Sequence, residues 1–472
     1  MTEQASHNPY VSPPLTRVFL KTALPIILMM VVSGSLNLVD AYFIGVFVGA
    51  DALAAVTAMF PVFMVLIALS TWIASGFASV MARLSGAGKH DEARNAYAQA
   101  LTLTLVISVI LLTVFSLSGQ ALALASNNGN QAQAAMSFTY MSIIMFGAPL
   151  IFWLGVASDS LRSEGHIGFI ALVSLLTTVG NGVMNYVFIV LLELGVAGSS
   201  YGTIAAQIIA LCAVWGFRRS HKNRLGLPLF ALTMVRSRWR EFLSLGAPSS
   251  LTYVGVAFTS GAILFSLQQW QPGSYEVTVS AYGVITRVMT FIYLPLLGLG
   301  LAMQSIVGNN VGAEQYQRSN RSLCIAVGVA LLYGVVTEAL LWWLRADIGL
   351  LFVDDPAVTS EIARLLPVVS LALFLLGPVM LISFYFQSIG DARRAGILSI
   401  AKTYLFALPL IFVLPLMWGE WGIWYAAPAA EFLALLLTGG ILYQRAIQGN
   451  HRFGLLYAVN QPEPQPIKQE AI

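Results

Sequence analysis

Charged side chains are scarce: Asp, Glu, Lys and Arg make up only 10% of the 472 residues, under half the share usual in a soluble globular chain. That excludes a soluble enzyme. Their balance is nearly even, 24 Lys+Arg against 21 Asp+Glu, so no basic surface for nucleic acid is on offer. Cysteine is almost missing, and Cys212 and Cys324 lie far apart in apolar runs; they read as small buried hydrophobes rather than a disulfide. The few histidines, His7, His90, His166, His221 and His451, all fall in connectors or tails, which excludes a membrane-buried histidine relay. A phosphate loop is missing too. In Gly86-Ala87-Gly88-Lys89 the leading Gly is replaced by Arg83, His90 stands where Ser or Thr belongs, and no strand precedes. With no ATP site, energy must come from an ion gradient; one charge falling through 100 mV supplies about 2.3 kcal/mol.

What the chain has in excess is hydrocarbon: 58% of residues are hydrophobic and the mean hydropathy is +0.79. A crossing helix uses about 20 to 25 residues. Apolar runs fall at 17–45, 53–84, 94–118, 134–160, 167–192, 197–217, 242–267, 277–308, 320–344, 362–388, 395–418 and 423–446, which predicts an all-α membrane protein of twelve spans. Residues 1–16 are polar and proline-bearing, without the form of a cleaved signal, so the first span directs insertion. Alternate connectors divide the basic residues 21 to two. The N-terminal side holds, among others, Arg17, Lys21, Arg83, the seven between Arg218 and Arg240, Arg393 and Arg394, and the other side only Arg345 and Arg364. Both termini are therefore expected in the cytoplasm, in a bacterial inner membrane. The Pro-rich end of the chain is expected to be disordered.

The halves repeat each other. At an offset of 224, Gly88 meets Gly312, Arg94 meets Arg318, and Gly198-x-x-Tyr201-x-x-x-Ala205-Ala206-Gln207 meets Gly422-x-x-Tyr425-x-x-x-Ala429-Ala430-Glu431. Pro25 and Pro248 pair at 223, and Ser163-x-Gly165 and Ser388-x-Gly390 at 225. The expected organisation is a tail (1–16), an N-lobe (17–217), a basic linker (218–241), a C-lobe (242–446) and a second tail (447–472). Two like-oriented six-helix lobes around a cleft form a transporter architecture.

Along its whole length the chain resembles the multidrug and toxic compound extrusion (MATE) family. The residues that carry the resemblance are Pro25, Val39-Asp40-Ala41-Tyr42-Phe43-Ile44-Gly45, Asp51-Ala52-Leu53-Ala54-Ala55-Val56 and Ala82-Arg83-Leu84-Ser85-Gly86-Ala87-Gly88 with Glu92-Ala93. Leu161-Arg162-Ser163-Glu164-Gly165 and Asn181-x-x-x-Asn185 through Gly195-Val196-Ala197-Gly198 extend it. The resemblance implies a cation-driven antiporter that expels organic, often cationic amphipathic compounds.

An acid inside a crossing segment is costly and marks function by default. Asp40 sits in the outer half of the first span, and Ser33, Asn37 and Asp40, at spacings of four and three, share one helix face. A carboxylate there loses hydration, so its charge answers to nearby cations and to water access. The bland reading is an interfacial carboxylate solvated at the helix end. Pro25 removes a backbone hydrogen bond and offers a bend. In DinF-type members, which this chain resembles, polar groups surround such an acid. By motif position they are Asn181, Asn185 and Thr203 here, with Tyr140, and Tyr201 and Asn37 in supporting or substrate-contact roles. Where those relatives often carry an Asp, this chain has Asn185, leaving a single principal proton carrier; both Asn residues could equally be interhelical glue. NorM-type acids of the seventh and tenth helices are replaced by Val256 and Pro378.

The embedded charges of the C-lobe are Arg287, Glu338 and Glu431. Comparable depth allows an Arg287–Glu338 pair, with substrate or ion handling as the other role for both; Glu431 offers either a substrate-facing charge or a protonated helix–helix hydrogen bond. Lys402 is expected to snorkel to the interface, and Trp342, Trp343, Trp418, Trp421 and Trp424 suit an outer aromatic belt. The expected partners are a small organic substrate and the bilayer, with the chain a monomer, no ATP, no cofactor, no metal site, and H⁺ or Na⁺ as coupling ion. A lipid-linked-precursor flippase is the nearer rival, although pyrophosphate cargo calls for several deep cations. A membrane-embedded enzyme is the remoter one, since no nucleophile or metal cluster lies at depth.

Overall fold

The computed structural model describes residues 8–127, 129–219, 227–228, 230–270, 275–449 and 454–455, with the backbone alone at 35–38 and 449. Within them the chain is helical, without strands. In order the spans are α1 (Leu15–Val48), α2 (Phe60–Gly86), α3 (His90–Ser126), α4 (Gln131–Phe146 with Ala148–Glu164), α5 (Ile167–Leu191), α6 (Gly195–Arg219), α7 (Trp239–Trp270), α8 (Tyr275–Gly312), α9 (Tyr316–Trp343), α10 (Pro356–Val369 with Leu373–Ser388), α11 (Ala392–Trp418) and α12 (Glu420–Gln448). Ten are long and apolar enough to cross a membrane on their own, and α4 and α10 are bent pairs, at 46° and 51°.

The bends and breaks have local causes. In α4 the break is at Gly147, two residues before Pro149, whose ring removes a backbone donor. In α10 the chain turns at Ala372, which has φ 70°, before restarting at Leu373. The second span begins later than expected, because Gly49 at φ 122° turns the chain into a separate short helix, Ala50–Ala58.

The halves touch through α1 against α8 and α2 against α7. Gly76 and Gly246 bring the last pair into backbone contact: a Cβ on Gly76 would lie 1.9 Å from the Phe242 carbonyl oxygen, and one on Gly246 1.7 Å from that of Trp72. Polar bonds surround this seam. Trp72 Nε1 donates to the Leu243 carbonyl at 2.7 Å, Arg83 pairs with Glu241 at 2.8 Å, and Gln387 donates to Ser75 Oγ at 2.8 Å and to the Leu245 carbonyl at 2.6 Å.

The segment before α1 is no loose tail where it is described. Tyr10 is fully buried and packs with Val18, Ile26, Leu299, Met303 and Ile306. Its hydroxyl donates to the Arg162 carbonyl at 2.5 Å, while its own carbonyl accepts from Asn310 at 3.3 Å and Arg318 at 3.2 Å. Asn8 bonds Asn309 at 2.9 Å, and Arg318 also reaches the Pro13 carbonyl. Toward the opposite face α7 exposes Val256, Phe258 and Phe265, and α1 exposes Tyr42, Val46 and Phe47. The halves are clasped at the face of the N-terminal segment.

Residues 220–226 and 229 of the basic linker and most of the C-terminal tail lie outside the described residues. Arg218 is buried against Glu164 at 3.1 Å, and Leu455 joins the core around Tyr10. Two minor expectations are corrected. Both cysteines are exposed rather than buried, since they point off the packed helix faces. Trp424 is 2% exposed and belongs to the core, not to a belt.

Gly246→Val should drive α2 and α7 apart at the cost of overpacking, about 1–3 kcal/mol. The expected result is a lower thermal midpoint for loss of monodisperse protein in detergent. The same change at Gly216, where a Cβ meets nothing within 4 Å, should leave the midpoint unmoved.

Candidate functional site

Asp40 lies eight residues before the end of α1 at Val48, about 12 Å along the axis at about 1.5 Å per residue. Its half-buried side chain turns toward α5, as does Ser33, whose hydroxyl meets Ser174 Oγ at 2.7 Å. The polar stripe of α1 thus faces its own half of the bundle; the side chain of Asn37 lies outside the described residues.

Asn185 Nδ2 donates to Asp40 Oδ1 at 2.6 Å and to Asn181 Oδ1 at 3.2 Å, and Asn181 Nδ2 donates to Thr203 Oγ1 at 3.1 Å. Asn181 and Asn185 are fully buried, one helical turn apart on α5, and Thr203 comes from α6. Among the described residues Asp40 has no ion pair, so a carboxylate in a membrane-spanning helix rests on neutral amides. The buried Asn185 Oδ1 has no hydrogen-bond partner, and Ser199 lies beside the same carboxyl. Tyr140 is buried within electrostatic reach of Asp40, and its carbonyl accepts from Ser200 at 2.9 Å.

Backbone geometry sets the site. Asn185 is the last α-helical residue of α5, and a π segment, Tyr186–Leu191, follows; another, Ile44–Val48, follows Asp40 in α1. Such widened turns re-aim side chains and recur at functional sites. Gly202 completes the arrangement, because a Cβ there would lie 2.2 Å from Asn185 Oδ1. Ser199 and Gly202 were not singled out from the sequence. The signal was present in spacing, since Ser199 is one turn from Thr203 on a face that also holds Gly202.

Other expected site residues fall elsewhere. Tyr201 is two residues from Thr203, so it points away; it is exposed and packs edge-on to Phe188 at 6.3 Å. Pro25 sits in unbroken helix, next to the buried Ile26 at the contact with α8. The Arg287–Glu338 pair is not formed: Arg287 is exposed without an ion pair among the described residues, and Glu338 accepts the Phe374 N–H at 3.3 Å, capping the restart of α10. Depth matched, but α9 aims Glu338 at orphan donors of a helix start. Among the described residues Glu431 makes no neutral hydrogen bond; it pairs with Lys402 at 2.5 Å. Lys402 therefore does not snorkel, because α11 starts at Ala392 and carries it nearly three turns inward.

Twelve spans in two clasped halves, one holding an isolated carboxylate, define a multi-pass membrane transporter. The MatE family model matches residues 25–187 and 248–413, one stretch in each half, and the chain belongs to that family. It is 24% identical over 425 residues to the probable multidrug resistance protein YoeA of Bacillus subtilis, covering 88% of this chain and 91% of that one. The FAD transporter of Shewanella oneidensis is 23% identical, with 90% and 93% covered. A solved outward-facing structure of a multidrug resistance MATE family transporter superposes with a TM-score of 0.84 at 22% identity, over 95% of this chain and 98% of that one.

Gly202→Ala should displace the Asn185 amide and lower transport more than tenfold at unchanged membrane level, whereas Tyr201→Ala should keep most activity. Dye efflux from cells expressing each variant, normalised to immunoblot, checks both.

Proposed function

We propose that the chain is a secondary active antiporter that exports organic, cationic amphipathic compounds in exchange for H⁺, with Na⁺ as the alternative ion, and that Asp40 is the coupling carboxylate. One observation carries this: Asp40, in the outer half of α1, is held by neutral donors, so its charge is balanced by no side-chain cation among the described residues. A proton or an organic cation can supply the balance, but the two compete.

The surrounding chemistry favours the proton. Asn185 offers the carboxylate an N–H, which would oppose a metal ion bound in its place, and the oxygens of Asn181 and Thr203 already accept hydrogen bonds. A protonated Asp40 needs an acceptor. Asn185 Oδ1, buried and unpartnered, meets that need when the amide rotates, so one side chain serves both charge states. Exchange of one proton for one monovalent cation moves no net charge, and each unit of pH difference then supplies about 1.4 kcal/mol.

The basic bias of the connectors supports a cytoplasmic setting for the clasped face and both termini, in a bacterial inner membrane, and on that reading the present arrangement opens outward. Alternation then requires the Tyr10 and Gly76–Gly246 contacts to part, with the bend near Pro25 at the α1–α8 contact. The unit of function is a monomer, without ATP or a resident cofactor. A flippase of lipid-linked precursors is the weaker reading, since Arg162 and Arg218, near the ends of α4 and α6, are already paired with Asp159 and Glu164, and Arg287 alone is no cluster for a pyrophosphate.

Asp40→Asn should abolish dye efflux from proteoliposomes under an imposed pH gradient. A Na⁺ gradient alone should drive none in wild type. Undiminished efflux by the variant refutes the role of Asp40, and efflux on Na⁺ alone reassigns the ion.

A further inference from the structure

The C-terminal half repeats the placement of the Asp40 site with different chemistry. At the repeat offset of 224, α11 and α12 stand for α5 and α6, with Lys402 for Thr178 and Glu431 for Gln207. Those positions are one turn from Asn181 and Thr203, nearer the clasped face. Lys402 Nζ meets Glu431 Oε1 at 2.5 Å. Lys402 is ten residues into α11 and Glu431 eleven into α12, so both lie about 15 Å from the helix ends.

Two observations separate this pair from structural glue. A π segment, Ala401–Ala407, holds Lys402; the other two π segments among the described residues follow Asp40 and Asn185. The pair is only partly satisfied, because Glu431 Oε2 is buried without a partner and the Lys402 side chain is 28% exposed. An embedded ion pair also gains little stability, since desolvation offsets most of the attraction. Tyr404 Oη, which donates to the Leu251 carbonyl at 2.8 Å, anchors this turn of α11 against α7. An ammonium exposed toward hydrocarbon at that depth is costly, so intramembrane charges face a bundle interior or a water-filled cavity.

We propose that the Lys402–Glu431 pair is the specificity-determining charge site of the C-terminal half, and that it selects organic substrates with a single cationic centre. The proposal deepens the antiporter reading and rests on it. Paired, the two side chains keep their side of the cavity neutral. A monocation satisfied at Asp40 presents its uncharged end there, where an ether, carbonyl or ring nitrogen can take a free Lys402 N–H. A second positive charge on the substrate meets the ammonium and is repelled.

Ethidium and propidium share a ring system and carry one and two positive charges, so the ratio of their efflux from proteoliposomes reads the selection. Wild type should favour ethidium. Lys402→Gln should raise the propidium-to-ethidium ratio roughly tenfold or more, the effect of removing one charge in a partly solvated cavity. Glu431→Gln should slow ethidium and leave propidium excluded, the double variant should carry ethidium with an intermediate ratio, and Lys402→Arg should keep the wild-type ratio. An unchanged ratio in all four variants overturns the proposal. So does equal loss of both dyes in the single variants with recovery of both in the double, which marks a structural pair. Equilibrium binding of both dyes in detergent, by fluorescence polarisation, reads the same ratio without transport. Asp40→Asn separates the two claims: if it transports normally the antiporter reading fails, while the binding ratio still judges Lys402 and Glu431.

Discussion

Where α1, α5 and α6 meet, a carboxylate is held by neutral side chains and by no cation among the described residues. Asp40 receives one short hydrogen bond from Asn185, and that amide is steered by Asn181, itself tied to Thr203. A fixed Lys or Arg beside Asp40 would neutralise it permanently, and a hydrated position would make its protonation indifferent to the cavity. Neutral amides avoid both, because they orient the acid without deciding its charge. Three helices must meet closely to achieve this, and Gly202 permits the approach of α6 to α5.

The inter-half seam is a different kind of contact. Backbone touching backbone at Gly76 and Gly246, bridged by Arg83–Glu241 and the Gln387 bonds, is close-packed but local to one face. Interfaces of this sort exist in discrete arrangements rather than deforming gradually. The N-terminal segment adds bonds to both halves at once, through Arg162 on one side and Asn309, Asn310 and Arg318 on the other. Any motion that separates the halves at this face breaks these bonds together.

Much of this was legible in the residue pattern. Apolar run length revealed twelve spans because lipid forces each crossing to satisfy its own backbone, and Gly, Arg, Pro and Tyr at a constant offset revealed the duplication. Asp40 stood out for the cost of its charge. The misreadings have a common cause. Depth along a helix can be counted, but azimuth near a bend or a π segment cannot, so Glu338 was matched to Arg287 instead of the Phe374 amide, and Lys402 was sent to the interface instead of Glu431. Tyr201 and Trp424 show the same limit, since motif membership and nearness to a helix end do not say which way a ring points.

Proton release on substrate binding tests the central claim most directly. Purified protein in weakly buffered detergent, held below neutral pH with a pH-indicating dye and mixed with saturating ethidium, should release protons in wild type and none in Asp40→Asn. Equal release from both proteins, or ethidium binding to wild type with no proton released, contradicts the account of Asp40 as the group over which ion and substrate compete.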